Sequence, residues 1–197
     1  MRVTGQFAPL LGILIGALGG AVYWLAVQIW PSSVAVIVSM ALTAVLTTEF
    51  RAMPAARLDL LGRVLCLLIK YNALMALSAA KLPFAVPANV PLALIMIGGY
   101  AASFAVLVAV MATRPERTAP RIGHGAVIFA LLVGFAPAVL LGIPGLAGLA
   151  AAIVAGLSII AVLRYKKISG SADTLDLTQL LTEAAFYLGA LATWRYV

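Results

Sequence analysis

Apolar runs close to the ~20 residues that a helix needs to cross a bilayer recur along this chain, and they restrict its fold more than any other feature. They lie at about Ala8 to Ile29, Val34 to Thr48, Leu60 to Ala80, Leu92 to Ala112 and Ala126 to Leu141. Two more follow, one after Gly145 to about Leu163 and one from Leu175 to Trp194. Within lipid, every backbone donor and acceptor must be bonded inside the protein, so spanning elements are helices or closed barrels. The period-2 alternation of barrel strands is absent. The expectation is an all-α, polytopic, multi-pass membrane protein of about seven transmembrane helices, forming a single integral-membrane domain over residues 1–197. Composition agrees, since only 10% of residues are charged, whereas a soluble chain carries roughly a quarter.

The opening Arg2 and its apolar run resemble a signal peptide. The run is long and shows no A-x-A cleavage pattern before Pro31, so it reads as a first span. Cys66 is the single cysteine, which excludes a disulfide framework and a cysteine metal site. A formal charge of +7 does not point to nucleic acid, because the basic residues are scattered over loops between apolar runs. There they set topology and meet anionic lipid or phosphorylated substrates. Ten of them (Arg2, Arg51, Arg57, Arg63, Arg114, Arg117, Arg121, Arg164, Lys166, Lys167) share the side of the N-terminus, and Lys81 and Arg195 lie on the other. That asymmetry places the N-terminus and the three polar loops in the cytoplasm and the C-terminus outside, in a cytoplasmic (inner) membrane.

Gly12, Gly16 and Gly20 repeat at four-residue spacing, a face on which another helix packs closely, either as a partner or in a homo-oligomer. Gly148, Ala152 and Gly156 form a second such face. Pro137 falls inside the fifth run, and Gly142 to Gly145 is a tight turn.

Two charges stand deep inside apolar runs, away from their ends: Lys70 in the third and Glu183 in the seventh. Counting helical rise from the cytoplasmic ends puts both at a depth of ~15 Å. Buried charges at one depth are expected to pair, directly or through Asn72 or Gln179. Such a pair either locks two helices together or lines a pocket. An ion or solute carrier would also use it, but no pair of similar halves supports that reading. Asp176, Gln179, Leu180 and Glu183 share one helix face, a polar stripe descending from the cytoplasmic end. Asp173 and Asp176 at the start of that helix serve either as caps facing the helix dipole or as ligands of a divalent metal. His124, between two glycines, carries no specific signal.

Four segments together resemble the cobalamin synthase family, the adenosylcobinamide-GDP ribazoletransferases. Ala8-Pro-Leu-Leu-Gly-Ile-Leu-Ile-Gly-Ala-Leu-Gly-Gly20 is similar to the family's glycine-spaced first span. Arg57-Leu-Asp-Leu-Leu-Gly62 resembles its D-S-R-h-G-x-x-G, keeping the arginine and the last glycine. Met111-Ala-Thr-Arg114 stands at its alanine-arginine exit from a middle span. Ser169 to Leu177, with Glu183, resembles G-G-x-T-G-D-x-L-G-A followed by a glutamate, with Asp173 and Glu183 at matching positions. The family's H-x-D-G-x-x-D-x-x-D motif is replaced by Thr47-Thr-Glu-Phe-Arg-Ala-Met-Pro54, in which Glu49 is the only acid.

The resemblance implies transfer of a phosphocobinamide group from a GDP ester to α-ribazole or its phosphate at the cytoplasmic face. It further implies Mg²⁺ held by Asp173, Asp176 and Glu49, with Asp173 and Glu183 as catalytic residues. Arg57, Arg114, Lys166, Lys167 and Lys70 would then bind the phosphates. Loss of the acidic motif is what a catalytically inactive homologue, kept as a structural subunit of a membrane complex, would also show.

A reporter fused to the C-terminus is expected to read as exoplasmic and one inserted at Arg117 as cytoplasmic. A cytoplasmic C-terminus would show that the number of spans is even.

Overall fold

The computed structural model describes residues 7–51, 60–79, 90–113, 123–166 and 172–194. At 48–51, 60, 61, 90, 166 and 172–174 it describes the backbone alone. The described residues form seven helices and no strand: α1 (Ala8–Ala26), α2 (Ser32–Arg51), α3 (Leu60–Ser78), α4 (Val90–Ala112), α5 (His124–Leu140), α6 (Ile143–Lys166) and α7 (Ala172–Trp194). Each corresponds to one apolar run. Three stretches are long and apolar enough to cross a membrane, Ala8–Ala26, Pro91–Ala112 and Ile143–Tyr165. Ser32–Thr47 and His124–Leu140 are shorter apolar helical stretches.

The arrangement of side chains is the reverse of a soluble protein's. Leu132, Leu140, Ile143 and Val154 point outward, while Lys70, Glu183, Gln179, Ser39 and Thr43 are buried. An apolar exterior, with the few charged and polar side chains turned into the apolar core, is the distribution that a lipid solvent favours.

Chain connections follow local chemistry. The Pro31 carbonyl accepts from the amides of Val34 and Ala35, starting α2 immediately after α1 ends. Gly142 takes φ +69, the left-handed conformation that closes the turn between α5 and α6 at no steric cost. Helix α5 continues through Pro137.

Helix α4 is the centre of the bundle. In its most apolar stretch 78% of residues are buried, against 22% in α6 on the periphery. It packs on α1, α3, α5, α6 and α7. The glycine face of α1 is what admits it: a Cβ at Gly16 would lie 2.7 Å from the Ile97 Cα, and one at Gly12 would lie 2.7 Å from the Tyr100 carbonyl. Gly20 abuts Ala93 in the same way. The neighbour of this face is therefore α4 of the same chain. The close helix packing expected at Gly12, Gly16 and Gly20 is thus made within the chain. The second small-residue face lies on α6, where Gly148 meets Phe186 of α7 and Gly156 meets Val106 of α4.

Gly16→Val forces backbone apart at the α1–α4 crossing, and overpacking of this kind costs ~1–3 kcal/mol. A lower unfolding temperature in detergent is expected for it. Gly125→Ala, whose added carbon meets nothing within 4 Å, should leave that temperature unchanged or slightly raised.

Candidate functional site

Helices α3 and α7 are joined by two ion pairs. Arg63 Nη2 lies 3.0 Å from Asp176 Oδ2, and Lys70 Nζ lies 2.7 Å from Glu183 Oε1. The partners are seven residues apart on each helix, so the pairs form two rungs separated by two turns, ~10 Å. Lower number pairs with lower number, which requires the two helices to run parallel. The upper rung is about a quarter exposed, and the lower one is buried.

The lower rung draws in two tyrosines. Lys70 Nζ donates to the Tyr100 hydroxyl at 2.6 Å and lies 4.5 Å from the centre of that ring. The Tyr187 hydroxyl donates to Glu183 Oε1 at 3.0 Å. Tyr187 reaches this position because residue 99 is glycine: a Cβ there would stand 2.6 Å from the Tyr187 ring. Thr43 of α2 donates instead to the Ser39 and Met40 carbonyls of its own helix, at 3.0 Å each. Helices α3, α4 and α7 thus converge on one buried charge pair. The pairing is direct. Asn72 is exposed and donates to the Leu68 carbonyl instead.

Between the rungs lies a cleft of about 130 Å³. Met40, Ala44, Leu67 and Leu180 give it apolar walls, and Thr47 and Gln179 add polar atoms. Gln179 is buried, and its Oε1 has no hydrogen-bond partner.

Of the residues expected at a site, the structure brings together Lys70, Asp176 and Glu183. Glu49 lies in the last turn of α2, Lys166 ends α6, and Asp173 lies in the first turn of α7; their side chains are outside the described residues. Arg57, Arg114 and Lys167 fall outside the described residues altogether. Sequence reasoning missed Arg63, Tyr100 and Tyr187 as members of the polar cluster. The signal for Arg63 was present, since Arg63 and Lys70 repeat the seven-residue spacing of Asp176 and Glu183.

The described carboxylates do not fit Mg²⁺. The ion takes ligands at ~2.0–2.1 Å, so Asp176 and Glu183, two turns apart, do not share one. Each is already compensated, Asp176 by Arg63 and Glu183 by Lys70. Among the described residues no three His, Cys, Asp or Glu side chains group as a metal site.

No family model matches this chain, and no solved structure matches it. Over 50 residues it is 46% identical to an adenosylcobinamide-GDP ribazoletransferase of Leptothrix cholodnii. The match covers 25% of this chain and 19% of that protein's length. The chain therefore has a partial likeness to a transferase, over about a fifth of that protein's length.

Breaking the lower rung from one side leaves a lone buried charge, at ~3–5 kcal/mol. Lys70→Met and Glu183→Gln should each lower stability in detergent, and the double change should recover much of the loss. A double-mutant cycle measures this coupling; simple additivity would show that the pair does not act as one unit.

Proposed function

We propose that this chain is a cobalamin-synthase-like membrane transferase that joins a GDP-activated cobinamide to α-ribazole or its phosphate. The observation that carries the reading is the 50-residue stretch of 46% identity to the L. cholodnii enzyme. The protein would cross a cytoplasmic membrane seven times with its N-terminus inside, consistent with the ten-to-two distribution of basic residues. The parallel course of α3 and α7 supports that topology, because an even number of crossings must separate their starts.

In this reading a hydroxyl oxygen of the ribazole bonds to the phosphorus that bears cobinamide, its proton passes to the Asp173 carboxylate, and the bond from that phosphorus to GMP breaks. Asp173 stands at the cytoplasmic start of α7 and is the residue proposed to act there. Arg57, Arg114, Lys166 and Lys167 would bind the diphosphate and offset the charge gathering on departing GMP. Lys70 and Glu183 have a different part. Both are buried and neutralise each other, so they position α7, and with it Asp173, instead of touching phosphate. Magnesium, which the resemblance implies, would fall to Asp173 and Glu49, since Asp176 is paired with Arg63.

A second reading is favoured by that same pairing. A chain whose interior charges cancel, and which lacks the family's acidic motif, also suits a catalytically inactive homologue that holds a membrane complex together.

Complementation decides between them. A strain lacking cobalamin synthase and fed cobinamide should regain cobalamin-dependent growth with this chain if it is a transferase. Asp173→Asn should then abolish growth while the protein still accumulates in the membrane. Failure of the wild-type chain, despite membrane insertion, would leave the structural-subunit reading standing.

A further inference from the structure

The cleft between the two rungs has properties that define what it accepts. Its lining carries two cations and two carboxylates, Arg63, Lys70, Asp176 and Glu183, so its formal charge is zero. An ion entering it would find no counter-charge left over, and the surrounding apolar medium makes that arrangement costly. An occupant is therefore uncharged.

Among the described residues, the buried polar atom left without a partner is an acceptor. Gln179 is 3% exposed, lines the cleft and has an Oε1 without a partner. Thr47 spends its hydroxyl hydrogen on the carbonyls of Thr43 and Ala44, at 2.8 and 2.9 Å, which leaves its oxygen lone pairs to accept. A buried acceptor left unsatisfied costs ~1–3 kcal/mol, so the site favours an occupant that donates. Its volume of about 130 Å³ equals about four waters at ~30 Å³ each. That is room for a group of glycerol size flanked by apolar walls.

We propose that this cleft binds an uncharged, hydroxyl-bearing group of about glycerol size, whose hydroxyl donates to Gln179 Oε1. The inference stands whether or not the chain is a transferase. Such a group could reach the cleft on a soluble polyol or on the headgroup of a lipid such as phosphatidylglycerol.

Saturation-transfer NMR on the full chain in amine-oxide micelles, which bring no hydroxyl groups of their own, tests this. Glycerol is the probe, and 1,2,3-trimethoxypropane, of similar shape but without a donor, is the control. Glycerol should give a saturable signal and the trimethyl ether none. Gln179→Leu should weaken glycerol binding about three- to tenfold, the factor for one net hydrogen bond. It should not lower the unfolding temperature, because it removes an unsatisfied polar group. Thr47→Val, which deletes the second acceptor, should weaken binding as well and serves where Gln179→Leu does not accumulate. Repeating the titration in nanodiscs separates the sources. Loss of the glycerol signal in phosphatidylglycerol but not phosphatidylcholine identifies a lipid headgroup, and equal signals identify a soluble ligand. The proposal is overturned if glycerol shows no saturable signal, if the ether binds equally, or if both variants bind glycerol as the wild type does. The first result would mean that the cleft holds water alone, the second that no donated hydrogen bond selects its occupant, and the third that glycerol binds elsewhere.

Discussion

The bundle depends on Lys70 meeting Glu183. Each charge is buried in the middle of its helix, where neither has water to fall back on, so the two helices that carry them must pack together. A buried ion pair contributes little net stability compared with an apolar pair of the same shape. Its effect here is on register. A second pair, Arg63 with Asp176, two turns away in the same direction, fixes both the rotation of α3 against α7 and their sliding. Any slip by one residue would strand two charges at once.

The tyrosines at the lower rung explain why α4 must be at the centre. Helices in lipid gain little from burying apolar surface, so close contact between small residues supplies much of their attraction. Helix α4 meets that condition on two sides. The glycine face of α1 lies against one side, and Gly98 and Gly99 on the other admit the Phe186 and Tyr187 rings of α7. Adjacent positions then serve the charge pair from both ends. Gly99 leaves room for Tyr187 beside Glu183, and Tyr100 presents its hydroxyl to Lys70. Packing and polar satisfaction are thus one requirement in this bundle.

Seven helices were legible in the sequence because each apolar run is bounded by charge, proline or glycine. Their observed ends fall within a few residues of the runs. Lys70 and Glu183 were legible as a pair because charge is rare at that depth and only one partner of opposite sign shares it. Other features were hidden for physical reasons. A tyrosine in an apolar run reads as core or interface, so Tyr100 and Tyr187 gave no sign of bonding the ion pair. Arg63, at the start of a run, reads as a charge that sets topology unless its seven-residue spacing from Lys70 is set beside that of Asp176 and Glu183. Four-residue glycine spacing announces a close neighbour without saying whose. The centrality of α4 was equally hidden, because α1 and α6 are also long, apolar helices and only the packing separates them.

The pairing also divides the molecule by charge. Both rungs are neutral, so the whole formal charge of +7 rests on the remaining residues, most of which lie at helix ends and in the connections between helices. The interior between α3 and α7 exerts no net attraction on an anion. A phosphorylated substrate would be drawn to the connections and held there, while the interior would accept only what is uncharged. A transferase uses such a division well, because its charged leaving group stays at the aqueous face, where it can depart. A purely structural subunit has no use for an excess of basic residues beyond orientation and contact with anionic lipid. What separates the two readings is therefore the arrangement of basic side chains around the start of α7, and not the buried ladder, which either protein would need in order to fold.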